Sequence, residues 1–254
     1  MATLASNPES AETRERRFFL IMTIVISVLT VAGFTMNIAL GRAVHNPPLI
    51  FHIHAAAYLG WLVIAITQGW LALKNDLRLH RVVGTIALAW LPVMVVLALA
   101  MSIASLRLHG GVPVLGVAEF LFVNAMHVVS FAALTGVAVA LWRKTDWHRR
   151  LMLCGLASIG APGIARLLPL PLFVPYVFPV LIVVAMLFPA FAMVVDMRRT
   201  GRLHPAWLWG IGSVFAMLLV GEAMAMSHWG QGVATGLVAG TPGADRPQWG
   251  YVPG

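Results

Sequence analysis

The sequence predicts an all-α fold, a polytopic membrane helix bundle with seven transmembrane helices. Of the 254 residues, 60% are hydrophobic and only 10% are charged, and the mean hydropathy is +0.87. Soluble domains carry about 25% charged residues. The apolar residues also fall into runs that approach or exceed the ~20 residues a helix needs to cross a bilayer. One membrane domain therefore accounts for most of the chain.

Seven apolar runs define the predicted spans. In chain order they cover 18–40, 50–73, 82–106, 114–142, 151–168, 172–195 and 206–227. The first run is too long for a secretory signal, whose apolar region has about 7–15 residues, so it is predicted to be a retained anchor. The fifth is the shortest, and the sixth contains Pro175, Pro179 and Pro189, which makes the ends of these two spans the hardest to place.

Two segments lie outside the predicted membrane domain of residues 18–227. Segment 1–17 is polar and is predicted to lie in the cytoplasm. Segment 228–254 is rich in glycine and proline, which predicts an irregular extracytoplasmic tail.

The lysine and arginine residues predict the orientation, because cytoplasmic loops retain positive charge. With the N-terminus inside, 13 of the 17 lysine and arginine residues lie on the cytoplasmic side. The outer side keeps the remaining four, Arg42, Arg107, Arg166 and Arg246. The C-terminus is then outside. The net charge of +8 lies in short clusters between apolar runs, which favours the lipid bilayer as partner and not nucleic acid.

Ionisable side chains within the predicted spans are the candidate functional residues, since each costs about 2.5–3.5 kcal/mol to insert. At about 1.5 Å per residue, His54, Glu119 and Glu222 each lie roughly 6–9 Å inside the outer boundary, in one polar layer. The candidate cofactor ligands are His54 and His127, and the candidate metal ligands are His52, His54, Glu119, His127 and Glu222. Histidine pairs suit b-type haem, and histidine with nearby methionine suits copper(I). The alternative is that these histidines only bond to neighbouring helices and stabilise the bundle.

A weak repeat marks the basic loops. Lys74-Asn75-Asp76 leads to His80-Arg81, Lys144-Thr145-Asp146 leads to His148-Arg149-Arg150, and a third loop places His204 before a helix. Pairs of stacked helices would explain this pattern. Asp76 and Asp146 are predicted to favour the helix starts that follow them. Arg81, Arg149 and Arg150 are candidate ligands for lipid phosphate or another anion.

Several short motifs carry a family resemblance. They are His52-Ile53-His54 with Trp61 and Gln68, Leu79-His80-Arg81 with Gly84, His148-Arg149-Arg150-Leu151-Met152, Ala165-Arg166-Leu167, and Gly201-Arg202-Leu203-His204-Pro205-Ala206. Over residues 15–215 the chain resembles a family of uncharacterised bacterial polytopic membrane proteins. It is more distantly similar to membrane cytochromes b, in which histidines on separate helices hold haem. The resemblance implies a multi-pass protein of the bacterial inner membrane.

Three functional hypotheses follow. The leading one is a membrane redox or metal/haem-binding protein whose site lies in the outer half of the bundle. The second is a proton-coupled transporter or small-molecule binding bundle, with proline and glycine breaking helices around a pathway. The third is an accessory subunit of a larger membrane complex. The sequence has no phosphate-binding loop, nucleophile-turn or zinc-protease motif, and it assigns no enzymatic reaction.

Overall fold

A computed structural model describes residues 10–246, and the chain forms eight α-helices in that range. Helices α1 to α4 are Ala11–Ala39, Leu49–Leu73, Leu77–His109 and Val117–Ala140. Helices α5 to α8 are Thr145–Ala165, Val177–Thr200, Pro205–Met226 and His228–Val238. Short 3₁₀ helices occupy Leu170–Phe173 and Pro242–Asp245. The all-α prediction is confirmed.

Within residues 10–246, six helices are long and apolar enough to cross a membrane, namely α1, α2, α3, α4, α6 and α7. The protein is therefore a multi-pass integral membrane protein. Helix α5, which corresponds to the predicted fifth span, is less apolar than these six. Its first six residues include the charged residues Asp146, Arg149 and Arg150, and small residues make up much of the rest.

Helix α5 lies at the centre of the bundle, where it packs against α1, α4, α6 and α7. Nearly all of its residues from Arg150 onward are buried. A side chain on Gly33 of α1 would collide with the carbonyl of Gly163, and one on Gly163 would collide with the backbone of Thr30. Small residues therefore let α1 and α5 touch backbone to backbone. Because other helices surround α5, it needs less hydrophobicity than a lipid-facing helix.

The first seven helices alternate in direction across the bundle. Arg16, near the start of α1, donates to the carbonyl of Ala72 at the end of α2 at 2.8 Å. Arg150, near the start of α5, contacts Asp196 at the end of α6, and Trp207 at the start of α7 contacts the same carboxylate. These ends therefore lie together. We call them the basic end, which comprises residues 10–17, 72–81, 138–150 and 196–207, and we call the opposite end the far end.

Local sequence explains several helix ends. Asp76 accepts a hydrogen bond from the backbone N–H of Leu79 at 3.0 Å, which confirms its predicted role as the N-terminal cap of α3. Asp146 has another role, because it lies within the first turn of α5 and pairs with arginine side chains. Helices α3 and α6 end at Gly110 and Gly201, which both have φ of 70° and adopt the left-handed conformation that glycine favours.

The prediction of an irregular tail from residue 228 is wrong for its first part. Residues 228–238 form α8, which begins with the Ser227 hydroxyl accepting from the N–H of Gly230 at 2.9 Å. The end of α8 packs against the far end of α3, where Arg107 donates a hydrogen bond to the carbonyl of Leu237 at 3.1 Å. Glycine content suggested an irregular chain, but here glycine permits close packing: a side chain on Gly230 would collide with the carbonyl of Met224. Residues 247–254, the last part of the predicted tail, lie outside the described residues.

Candidate functional site

The predicted intramembrane ligands lie at different heights in the bundle. Counting from the basic end of each helix at about 1.5 Å per residue, His54 lies at about 29 Å, Glu119 at about 32 Å and Glu222 at about 26 Å. On this count the three fall within about 6 Å of one another. His127 lies at about 20 Å on the same scale, about 9 Å nearer the basic end than His54.

The structure does not bring His54 and His127 together by any contact among the described residues. The ring of His54 stacks on Tyr58 of the same helix, with centroids 4.2 Å apart. His127 is buried and shares a hydrogen bond of 2.7 Å with the carbonyl of Ser158 on α5. Because a carbonyl only accepts, Nε2 of His127 carries the proton and links α4 to α5. This bond and the difference in height do not suit a haem shared by the two rings.

The remaining predicted ligands have local surroundings of their own. Glu119 accepts from the backbone N–H of Gly116 at 3.2 Å and so satisfies the start of α4. Glu222 is half-buried on α7, and His52 is exposed. Within residues 10–246, no three His, Cys, Asp or Glu side chains lie close enough to hold one metal ion. The five predicted metal ligands are thus not gathered into one such cluster.

A buried ion-pair network lies at the basic end. Arg150, 2% exposed, donates from Nε and Nη2 to the two oxygens of Asp196 at 2.9 and 2.8 Å. The indole of Trp207 donates to the same carboxylate at 2.9 Å. Glu15 on α1 joins through Arg149 at 2.8 Å, and Arg149 also pairs with Asp146. The network therefore ties together α1, α5, α6 and α7.

This network bears on the three arginines predicted to bind lipid phosphate or another anion. Arg150 lies inside the bundle with its donors directed at Asp196 and at the backbone carbonyl of Asp146, which does not suit a headgroup ligand. Arg149 is partly exposed and already paired with two carboxylates. Arg81 is exposed and donates to the carbonyl of Leu77, one turn earlier in α3. For Arg81 and Arg149, anion binding stays a prediction.

Sequence reasoning did not single out Asp196 or Trp207. Asp196 follows immediately after the predicted sixth span, 172–195, and so falls outside the spans whose ionisable residues are candidates. One feature of the sequence could have indicated this contact: Asp196 lies at the end of one apolar run, and Trp207 lies eleven residues later at the start of the next. Which arginine it meets could not be read from the chain, because that depends on how α5 and α6 pack.

The closest pair of histidines on different helices in the described structure is His80 and His148, with ring centroids 6.4 Å apart and planes at 75°. Nδ1 of His80 hydrogen-bonds to the carbonyl of Gln68 at 3.2 Å. Nδ1 of His148 hydrogen-bonds to the carbonyl of Ala138 at 2.8 Å. Both Nδ1 atoms must carry the proton, because each partner only accepts. The lone pair of each neutral ring is therefore on Nε2.

The two histidines hold equivalent positions in a repeated unit. Each is the fourth residue of its helix, His80 in α3 and His148 in α5, and each bonds back to the preceding helix, α2 or α4. The hairpins α2–α3 and α4–α5 also meet through Trp61 and Phe131, whose rings are 5.3 Å apart and nearly perpendicular. The predicted stacked helix pairs are these two hairpins. The repeat of the basic loops is the sequence feature that both histidines share.

The third histidine of the basic loops has a different role. His204 is the N-terminal cap of α7, and its Nδ1 accepts from the N–H of Ala206 at 3.2 Å. Partial burial lowers the pKa of His204 below its usual value of 6.5, and the nearby charge of Arg150 lowers it further. Both effects favour the neutral ring, which is the form that can accept this hydrogen bond.

No family model matches the chain, and neither the curated proteins nor the solved structures include one that is significantly similar to it.

Proposed function

We propose that all seven of the predicted helices span the bilayer, with the N-terminus in the cytoplasm and the C-terminus outside. Helix α5 has 21 residues, a length of about 32 Å at 1.5 Å per residue, which matches the hydrocarbon thickness of about 30 Å. It runs from the basic end to the far end between helices that are apolar enough to span. Thirteen of the 17 lysine and arginine residues lie at or next to the basic end, which supports a cytoplasmic assignment for that end.

The membrane that we propose is the bacterial inner membrane, on the strength of the family resemblance carried by the basic-loop motifs. Reporter fusions after residues 75 and 111 test the orientation, because the first lies at the basic end and the second at the far end. A reporter that is active only in the cytoplasm should work at residue 75 and fail at residue 111. The reverse pattern would overturn the orientation.

For the activity, we propose a membrane redox protein that binds a b-type haem between the α2–α3 and α4–α5 hairpins. The observation that carries this proposal is the His80–His148 pair, with its centroid separation of 6.4 Å. At this separation His80 and His148 would be the residues that hold the group, with one nitrogen from each ring. The two neutral rings each keep a lone pair on Nε2, and metal-bound histidines usually donate their other N–H to a carbonyl or carboxylate.

A haem fits this pair better than a bare metal ion does. Four-coordinate zinc sites take three or four protein ligands, whereas haem brings four nitrogens of its own and needs only axial ligands. The described chain offers two neighbouring histidines here and no cluster of three metal-binding side chains. Copper(I) is the alternative metal, and metal analysis distinguishes it from iron.

The surroundings of the pair also suit an additional group. The side-chain oxygen of Gln68 is buried without a hydrogen-bond partner, and the backbone carbonyl of the same residue holds His80. Gly84, one turn after His80, lets the amide of Gln68 pack beside it, because a Cβ at residue 84 would come within 3.0 Å of the amide nitrogen. Arg16 lies near His80, and a cationic rim suits the carboxylates of a haem. A haem bound here would supply one-electron transfer.

The test is the visible spectrum and iron content of protein purified from cells supplied with haem precursor. We expect haem bands in the wild type that are lost in His80→Ala and in His148→Ala. His52→Ala is the control, because that ring is exposed and lies near the far end. Unfolding temperature and gel filtration show whether each variant is folded. Wild-type protein with no haem, or bands that persist in folded variants of both residues, would overturn the proposal.

The same spectra decide the location predicted from the sequence, the outer half of the bundle. The Nδ1 atom of His54 is buried without a partner, so this residue keeps a free ligand atom. Loss of the bands in His54→Ala and His127→Ala, with no change in the His80 and His148 variants, would place the haem in the outer half. Absence of both haem and metal would leave transport and complex assembly as the hypotheses to pursue.

A further inference from the structure

Arg166 is a charged residue at the far end without a carboxylate partner among residues 10–246. It follows the last residue of α5, and its Nη1 donates to the carbonyl of Pro162. Its guanidinium lies over the ring of Phe34 on α1, 4.3 Å from the ring centroid. No ion pair of Arg166 occurs in the part of the chain that the structure describes.

Most of the hydrogen-bonding capacity of Arg166 is therefore unused. An arginine has five N–H donors and stays protonated at any physiological pH. Only the bond from Nη1 to Pro162 is made within the described chain. Charged residues at membrane depth usually pair with another group or mark a functional site. The planar guanidinium suits an oxyanion that accepts two hydrogen bonds, such as phosphate.

His54 supplies a second unsatisfied group on α2, which packs against α1 as α5 does. Its Nδ1 is buried without a hydrogen-bond partner, and the charge of Arg166 acts on its ring. The ring also hydrogen-bonds to the backbone of Leu97, so Nδ1 donates to the anion that Arg166 binds when both ring nitrogens carry a proton. The ring of Tyr58 packs against the imidazole of His54, with centroids 4.2 Å apart, and holds it in place.

The height of this cluster matches a lipid headgroup. At about 1.5 Å per residue, Arg166 lies about 32 Å and His54 about 29 Å from the basic ends of their helices. A hydrocarbon core is about 30 Å thick, so both residues lie where the opposite headgroup layer begins. Phe34 is 42% exposed and offers apolar surface beside the charge. The site is therefore open to a lipid from the side.

We propose that Arg166 and His54, between the far ends of α1, α2 and α5, bind the phosphate of an anionic lipid. Arg166 supplies the charge and the paired donors, His54 supplies one further donor, and Phe34 contacts the lipid chain. A free inorganic phosphate shares this chemistry. The exposed apolar ring beside the guanidinium favours the lipid. The site is at the opposite end from the histidine pair and does not depend on a haem.

The experiment measures lipid binding by native mass spectrometry of delipidated protein. Phosphatidylglycerol is the anionic probe, phosphatidylcholine the zwitterionic comparison, and inorganic phosphate the competitor. We expect phosphatidylglycerol to bind more tightly than phosphatidylcholine, and Arg166→Gln to weaken that binding about tenfold or more, as the loss of charged hydrogen bonds predicts. Arg42→Gln is the control, because Arg42 is an exposed arginine that follows α1 at the same end. The Arg42→Gln variant should bind phosphatidylglycerol as tightly as the wild type does.

Each other outcome has a defined meaning. Equal binding of both lipids, or equal weakening by Arg42→Gln and Arg166→Gln, would overturn the proposal. Competition by millimolar inorganic phosphate would support the site but assign it to a free anion. If Arg166→Gln fails to fold, Arg166→Lys and His54→Phe replace it. Lysine keeps the charge without the planar pair of donors, so lipid binding that is unchanged in both of these variants would also overturn the proposal.

Discussion

Replacing Asp196 with alanine should destabilise the protein more than any other single change to an ion pair. Asp196 is 5% exposed, and its two oxygens accept from the guanidinium of Arg150 and from the indole of Trp207. Alanine would leave the Arg150 charge buried without its carboxylate, and it would remove the acceptor of a fully buried tryptophan N–H. Three helices would lose their common contact.

The expected size follows from this burial. Removing one partner of a buried ion pair typically costs about 3–5 kcal/mol. For proteins of 150–250 residues, each kcal/mol lowers the unfolding temperature by about 2–4 °C, so the decrease should be about 6–20 °C. Replacing both partners with apolar residues, as in Arg150→Met with Asp196→Leu, should recover much of this loss, because no buried charge is left alone.

The chain carries a natural reporter for this measurement. Cys154 is the only cysteine, and it is fully buried in α5. A thiol-reactive dye therefore reports unfolding of the bundle in detergent without any added label. The matched control is Asp146→Ala, since the side chain of Asp146 also pairs with arginine but is 59% exposed. An exposed pair contributes about 0–1 kcal/mol, so this control should shift the transition by at most a few degrees.

The reasoning would be refuted if Asp196→Ala and Asp146→Ala unfolded at the same temperature. It would also be refuted if the stability losses of the two single variants, Arg150→Met and Asp196→Leu, simply added in the double variant. Additivity would mean that the two side chains do not interact, whatever their distance.

Three further predictions test packing and pH dependence. Gly163→Ala should destabilise the bundle by about 1–3 kcal/mol, because the added methyl group would meet the backbone of Thr30. Gly136→Ala is the control and should be neutral or stabilising, because a methyl group there meets nothing within 4 Å. Unfolding of both variants is followed by labelling of Cys154 with the thiol-reactive dye. Gly230→Ala should destabilise α8, because the added methyl group would collide with the carbonyl of Met224, whereas Gly232→Ala should not. The measurement is amide hydrogen exchange of residues 228–238. Equal exchange rates in the two variants would contradict the close packing of Gly230. The pKa of His204 is lowered in the folded protein, so the stability that its neutral ring contributes is complete above the unfolded pKa of about 6.5 and is lost as the pH falls below that value. His204→Asn keeps a helix cap that does not titrate. The unfolding temperature, measured from pH 7.5 to 5.5, should therefore depend less on pH in this variant than in the wild type.

The parts of the fold that face lipid could be predicted from the sequence. A helix that contacts lipid must be apolar along its length, so α1, α2 and α3 appear as continuous apolar runs. Helix α5 follows a different rule, because other helices enclose it. Its small residues and its charged first turn make sense only once Gly163 is seen against α1 and Arg150 against Asp196. Hydropathy alone does not carry that information.

The candidate sites were harder to predict, because they depend on how distant segments pack. Residue type and depth single out His54, Glu119 and Glu222, but depth does not tell which side chains meet. His127 bonds to Ser158, and His54 stacks on Tyr58. His80 and His148 are 68 residues apart in the chain, and they meet because two similar hairpins pack against each other. The repeated basic loops are a sequence signal from which this pair could be found, but the sequence analysis did not predict it.

The most direct test of the central claim is electron paramagnetic resonance of the oxidised, purified protein. Two axial histidines make a six-coordinate haem iron, so we predict a low-spin ferric signal in the wild type that is absent from folded His80→Ala and His148→Ala proteins. Wild-type protein without a haem signal would contradict the account. So would a low-spin signal that survives in both variants.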